Sequence, residues 1–207
     1  MRIPRVENRL ENRPCQGDIY RNLEYFEWYK EVEGNIEIST ITFPLAVVLT
    51  QDCDLEQHAS LNRPQKNQDK LLISVLVAPM YNSELLVEGE HLRDLDRKSE
   101  RIGGALQKSL KSNQRLRYHA LEFPLIAALP DVVIDFKHYF SQTVDYLQLM
   151  RTSHYVGSLP DLFREDLAQR FSSFLSRVGL PEVAMAEPPE TREGGPQGGS
   201  GEEVSSR

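Results

Sequence analysis

The sequence contains no run of the roughly 18 to 20 uncharged apolar residues that a helix needs to cross a bilayer. Its longest apolar stretches, Pro44 to Thr50 and Leu71 to Pro79, have the length of strands. A membrane-spanning chain is therefore not expected. Cysteine is scarce as well: Cys15 and Cys53 are the only two in 207 residues. They form neither a CxxC pair nor a Cys/His zinc spacing, so a disulfide framework is excluded and both read as reduced thiols. The first 14 residues carry charges throughout and lack the apolar core of a secretory signal, so they read as a polar arm of a cytoplasmic protein. No internal repeat is present.

Positive charge is also in deficit. Lys and Arg number 24 against 31 Asp and Glu, for a net charge of -7. From Glu187 onward there are five acids and two arginines, so the tail accounts for -3 and the preceding residues for -4. An acidic balance argues against a protein whose whole surface tracks nucleic acid, while leaving room for a local basic patch.

The residues that are present arrange themselves as one α+β domain over about 15–182. A turn at Gly17-Asp18 leads into an aromatic-rich strand from Ile19 to Tyr29, and Gly34 separates it from a second strand, Asn35 to Ile41. The aromatic group Tyr25, Phe26, Trp28 and Tyr29 reads as core, or as a stacking surface or partner-binding edge. PLAVVLT (44–50) has the composition of a strand buried on both faces and ends in Gln51-Asp52-Cys53-Asp54. A polar loop over 57–69 then precedes a second buried strand, Lys70 to Pro79.

Helical spacing takes over at about 83–114, interrupted by Gly103-Gly104, as an inserted helical section. Strand patterns return at Leu116 to Phe123 and Val132 to Phe136. A helix beginning near Asp161 should place Leu162, Leu167, Phe171, Phe174, Leu175 and Val178 on one face and end at Gly179 and Pro181. Residues 183–207 are rich in Pro, Gly, Glu and Ser and read as a disordered acidic tail.

The order Gly17-Asp18-Ile19-Tyr20, then PLAVVLTQDCD, then LLISVLVAP, then a C-terminal helix resembles the MazF/PemK-like family of bacterial toxins. The resemblance covers 16–81 and, loosely, 160–180. It implies a small SH3-like β-barrel, or a strongly curved antiparallel sheet, with the helical section inserted and a C-terminal helix. It also implies metal-free RNA cleavage by an arginine just before the strand proline and a hydroxyl residue ending the following strand. Here Phe43 precedes Pro44 and Met80-Tyr81 end that strand, so the family's mechanism does not carry over with the fold.

Three groups carry candidate chemistry. Asp52, Cys53 and Asp54 put two carboxylates around a thiol at a strand end, where Asp52 and Asp54 would suit Mg²⁺ or Mn²⁺ and Cys53 a nucleophilic role. Flanking carboxylates disfavour a thiolate without a nearby cation, and the alternative is a buried Cys53 between two turn-forming aspartates. His119 on the RLRYHAL strand and Asp135 within VVIDF would join them as an acid–base set acting on a phosphodiester, with Arg117 beside them; the alternative is a structural Arg and Asp network. No cofactor beyond such a metal is implied. The remaining histidines read as surface or capping residues.

From Arg97 to His119 there are seven cations, Arg97, Lys98, Arg101, Lys108, Lys111, Arg115 and Arg117, against Glu100 alone, a local +6. This segment could contact phosphates, with Tyr118 stacking on a base, or it could be a solvated helix face. Together these features lead to the expectation of a toxin-like or phage-defence accessory protein that binds nucleic acid or a protein partner. The alternatives are a phosphodiesterase using Asp52-Cys53-Asp54 and a pure interaction module. A homodimer is among the partner arrangements considered.

Overall fold

The computed structural model describes residues 3, 5–9, 11–60 and 68–177. The expected tail, the helix stop at Gly179 and Pro181, and Val178 lie outside the described residues. Those described belong to one compact unit that ends at Arg177.

The chain opens with a long hairpin, β1 (Asp18–Val32) and β2 (Asn35–Val48). Val32 pairs with Asn35 across a two-residue turn in which Glu33 (φ 51°) and Gly34 (φ 80°) are both left-handed. That is the turn whose twist matches a hairpin, and it requires positive φ twice. β2 runs through Pro44 as a single strand where the sequence pattern suggested two. Proline cannot donate to the ladder, and the register skips it together with the facing Asn22, itself left-handed at φ 51°.

After β2 the acids expected in a turn begin a helix, α1 (Asp52–Ser60). Carboxylates in a first helical turn face the exposed N–H groups and the positive end of the helix dipole, which is why Asp52 and Asp54 start the helix. β3 (Val75–Asn82) follows, later than the expected 70–79 strand. The insertion comprises α2 (Ser83–Glu88) and α3 (Gly104–Lys111). Asn82 caps α2 by accepting from the N–H groups of Glu84 and Leu85, and Gly89, left-handed, ends it. Then come β4 (Tyr118–Leu121), β5 (Val132–Asp135), β6 (Phe140–Gln142), α4 (Val144–His154), β7 (Tyr155–Ser158) and α5 (Asp161–Leu175).

All pairings are antiparallel and the strand order is β4-β5-β3-β2-β1-β7, with β6 also on β3. The sheet is curved and open, so of the two forms expected from the sequence it is the curved sheet and not a closed barrel. Strand alternation divides the core in two. Ile19, Val47 and Ala78 join α5, while Tyr20, Ala46, Val48 and Val77 join Leu86 of α2, Leu110 of α3 and Leu147 of α4.

On α5 the buried stripe is Phe163, Leu167, Phe171 and Phe174, whereas Leu162 and Leu175 are exposed. Leu167, Phe171 and Phe174 thus lie on the face read in the sequence, with Phe163 in place of Leu162 at its start. Described residues of the expected polar arm pack on the domain. Ile3 is fully buried, and Glu7 and Ser158 exchange backbone hydrogen bonds of 2.9 and 2.7 Å. Among the described residues no helix is long and apolar enough to cross a membrane.

Candidate functional site

The hairpin outruns its neighbours. β7 pairs with β1 only over Asp18–Tyr20, and β3 pairs with β2 only over Ala46–Val48. Residues 21–45 therefore form a two-stranded ribbon that leans over the end of β3 and the turn after β5. Beneath it is a cavity of about 360 Å³. Tyr25, Trp28, Ile41 and Phe43 of the ribbon, Tyr81 of β3, and His138, Tyr139 and Phe140 line it, with Glu27, Leu95 and Arg97. Phe43 stacks on Phe140 at 5.1 Å and Tyr25 meets Phe140 edge-on at 5.3 Å, giving the cavity a rigid aromatic floor.

A series of polar side chains ends at this cavity. Asp135, fully buried at the end of β5, receives two bonds from Arg117, Nε at 2.8 Å and Nη2 at 2.6 Å, and one from the Lys137 N–H at 3.0 Å. The bidentate fork holds the carboxylate in one orientation. Its Oδ2 lies 3.6 Å from His138 Nδ1, which is 2.9 Å from the Tyr81 hydroxyl. Burial holds the His138 imidazole below its usual value, with Arg117, Arg97 and Lys137 adding to this and Asp135 opposing it. The ring is therefore neutral at pH 7 and able to accept a proton. Burial, reinforced by the Asp135 charge, pushes the Tyr81 hydroxyl above the ordinary phenol range, so it stays protonated.

Behind Tyr81 lies a smaller apolar chamber of about 180 Å³ that shares Phe43, Tyr81 and Leu95 with the cavity and reaches His91. Tyr81 and His91 meet edge-on at 4.9 Å, and burial lowers the His91 imidazole.

Asp52, Cys53, Asp54, His119 and Asp135 are not brought together. Asp52 accepts from Arg13 Nη1 at 3.1 Å and from the Gln16 N–H at 3.1 Å, with Arg9 at 3.6 Å and Arg164 at 3.7 Å. Burial opposes its ionisation, but those bonds and charges outweigh it and hold the carboxyl below its usual range. Its oxygens are thus occupied by guanidinium groups, which does not fit a Mg²⁺ or Mn²⁺ ligand. Among the described residues no three His, Cys, Asp or Glu are grouped to hold a metal. Cys53 is exposed, contrary to the buried alternative, with Sγ 3.7 Å from Asp54 Oδ1.

His119 pairs with Ile134 in the β4–β5 ladder, so it and Asp135 fall on opposite faces of the sheet. It is fully buried, stacked on Phe136, and its nearest carboxylate is that of Asp166 at 3.8 Å. Burial lowers its imidazole to about 3, with the Arg170 charge adding to the effect. Arg117 and Asp135 do meet, in an Arg–Asp pair on the face that carries Tyr81. β4 begins only at Tyr118, so Arg115 and Arg117 precede the strand that carries His119.

The basic segment is likewise spread out. Arg97 lines the main cavity, Lys98 joins Arg93 and Arg97 in another recess, and Arg101 and Lys111 line a third with Asp131 and Glu84. Lys108 lies in the last turn of α3, and the Arg115 carbonyl accepts from Arg170. Tyr118 carries the Arg117 guanidinium 4.9 Å above one face of its ring.

Sequence reasoning missed Tyr81 and His138, as well as a buried pair beneath the Gly-Asp turn. Asp18 is fully buried and accepts from Arg151 Nη1 at 2.6 Å, from the Cys15 N–H at 2.9 Å and from the Ser158 hydroxyl. Burial pushes its carboxyl up, an effect that these partners offset only in part. The same turn keeps Cys15 buried, and burial together with the Asp18 charge raises its thiol, which makes it a structural cysteine. One cue to His138 was available: it stands three residues after an aspartate in an apolar strand. Compared with known families, curated proteins and solved structures, the chain matches none.

Proposed function

We propose that the protein binds single-stranded nucleic acid, taking one unpaired base into the cavity under the hairpin ribbon. The observation that carries this reading is the composition of that cavity: aromatic walls from Tyr25, Trp28 and Tyr81, with the Arg97 cation and neutral His138 among them. Base–aromatic stacking contributes about 1–3 kcal/mol per base and tolerates any sequence, while an arginine supplies the phosphate contact. A cavity of about 360 Å³ falls within the usual range for small-ligand sites. Duplex bases, already stacked, could not enter. Arg97 also shares a neighbouring recess with Arg93 and Lys98, which would meet an adjacent phosphate.

Fluorescence polarisation of labelled single-stranded and duplex oligonucleotides tests the proposal. The single strand should bind with an affinity that falls steeply with salt, and Arg97→Ala should weaken it about tenfold. Equal binding of duplex, or an Arg97→Ala variant that binds like wild type, would overturn it.

A second reading is favoured by the neutral His138 held between Tyr81 and Asp135 at the cavity wall. With its own proton on Nδ1, towards the Tyr81 oxygen, such a histidine can take at Nε2 the proton of a ribose 2′-hydroxyl that attacks the adjacent phosphate, the departing 5′-oxygen taking a proton from water. RNA cleaved in EDTA while the matching DNA stays intact, with the activity lost in His138→Gln, would support it. RNA left whole would leave binding alone.

A further inference from the structure

The two faces of the ribbon are unlike. A bulge between Phe26 and Trp28 shifts the side-chain alternation. On the cavity side, Trp28 lies under the Lys30 ammonium at 5.6 Å, Lys30 pairs with Glu37 at 2.9 Å, and Glu27 accepts from Ser39 at 2.9 Å. The opposite side carries Phe26 and Tyr29, in ring contact at 6.2 Å, with Ile38 paired to Tyr29 and Ile36 paired to Glu31. Phe26, Tyr29, Ile36 and Ile38 are 50, 68, 69 and 62% exposed. The more apolar face of an amphipathic ribbon, with Glu24 and Glu31 towards its ends, thus points away from its own protein.

We infer that this face is the contact surface for a second copy of the chain, two ribbons packing face to face about a twofold axis. Taking about 200 Å² for a large side chain, the four exposures leave roughly 500 Å² uncovered on one copy. A patch of that size matches the largest found on ordinary monomers and is usually functional. Pairing it with itself would bury roughly 1,000 Å² from these side chains alone, the lower bound for a specific interface.

The centre of the patch suits a twofold contact. It holds Tyr29 and Ile38, with Glu24 and Glu31 only towards its ends, so apposing two copies brings no like charges together at the axis. A two-stranded ribbon is marginal by itself, and packing two of them supplies the missing layer. The cavity side would stay free, so the dimer would carry two cavities facing outward.

Sedimentation velocity over a concentration series tests the inference, with far-UV circular dichroism and Trp28 emission as checks on folding. The wild type should sediment at twice 23.7 kDa. Ile38→Lys and Phe26→Ser, neither of which lines the cavity, should each sediment as monomers with Trp28 emission unchanged. Ile73→Lys, at an exposed position away from the ribbon, should remain dimeric. An apolar contact should also survive roughly 0.5 M salt, where surface charge pairing is screened. A wild-type monomer, or folded ribbon variants that dimerise like wild type, would overturn the inference. So would a dimer that dissolves in salt, which would place the contact on the basic 97–119 segment instead.

Discussion

Replacing Arg151 with methionine should be the most damaging single change on the side of the sheet where β1 meets β7. Asp18 is fully buried and the Arg151 side chain is only 10% exposed, so solvent screens their 2.6 Å contact little. Removing one partner of a buried ion pair typically costs about 3–5 kcal/mol, because the other charge is left uncompensated. Here the Ser158 hydroxyl and the Cys15 N–H remain on Asp18, which favours the lower end, about 3 kcal/mol. Methionine keeps most of the packing on Tyr155 but loses the cation that lies 4.2 Å over that ring. A loss of about 3 kcal/mol is more than a hundredfold in the folding equilibrium and a large part of the roughly 5–15 kcal/mol that holds a domain together.

Urea unfolding followed by Trp28 fluorescence and circular dichroism would measure the change. The double variant Asp18→Asn, Arg151→Met removes the stranded charge and should recover at least about 1 kcal/mol of the loss. A single variant that costs less than about 1 kcal/mol, or a double variant no better than the single, would refute the reasoning.

Two further perturbations follow from the same structure. His119 is buried with its imidazole lowered to about 3, so the unfolded chain binds the extra proton between that value and the ordinary 6.5. Its share of stability is therefore complete above pH 6.5 and is lost as pH falls through that window. At pH 4.5 the loss should reach about 3 kcal/mol. Urea midpoints at pH 7 and 4.5 should show a smaller acid loss in His119→Leu than in wild type, and identical losses would count against this reading. Gly17 and Gly34 both have φ of +80°, but a Cβ at Gly17 would stand 2.5 Å from Arg164 Cγ whereas one at Gly34 meets nothing. Gly34→Ala should cost about 1 kcal/mol and Gly17→Ala clearly more in thermal unfolding; equal costs would mean that Arg164 yields freely.

The sequence was most informative where pattern and turn chemistry agree. Gly34 marked the hairpin, the run from Pro44 marked the buried part of β2, and helical spacing marked the insertion that holds α2 and α3. It misled where a residue type serves two structures. Asp52 and Asp54 read as turn or metal residues, yet carboxylates suit the first turn of a helix equally well. α4 buries only Leu147 and so shows little apolar period. The candidate site was half legible. Arg97, Arg117 and Asp135 stood out as charges in unusual places, but Tyr81 and His138 gain their meaning from β3 lying beside β5 and β6, a long-range pairing that no local pattern announces. The aromatic group of β1 was noticed, but its division between a cavity face and an outward face depends on one bulge.

Trp28 is the only tryptophan in the chain and lines the cavity, so its emission reports directly on what enters. Titrating the protein with a short single-stranded oligonucleotide, and in parallel with the matching duplex, should give saturable quenching by the single strand only, weakened in Arg97→Ala. Trp28 emission that does not change while the single strand is bound, or does not change at all, would contradict the placement of a base under the ribbon.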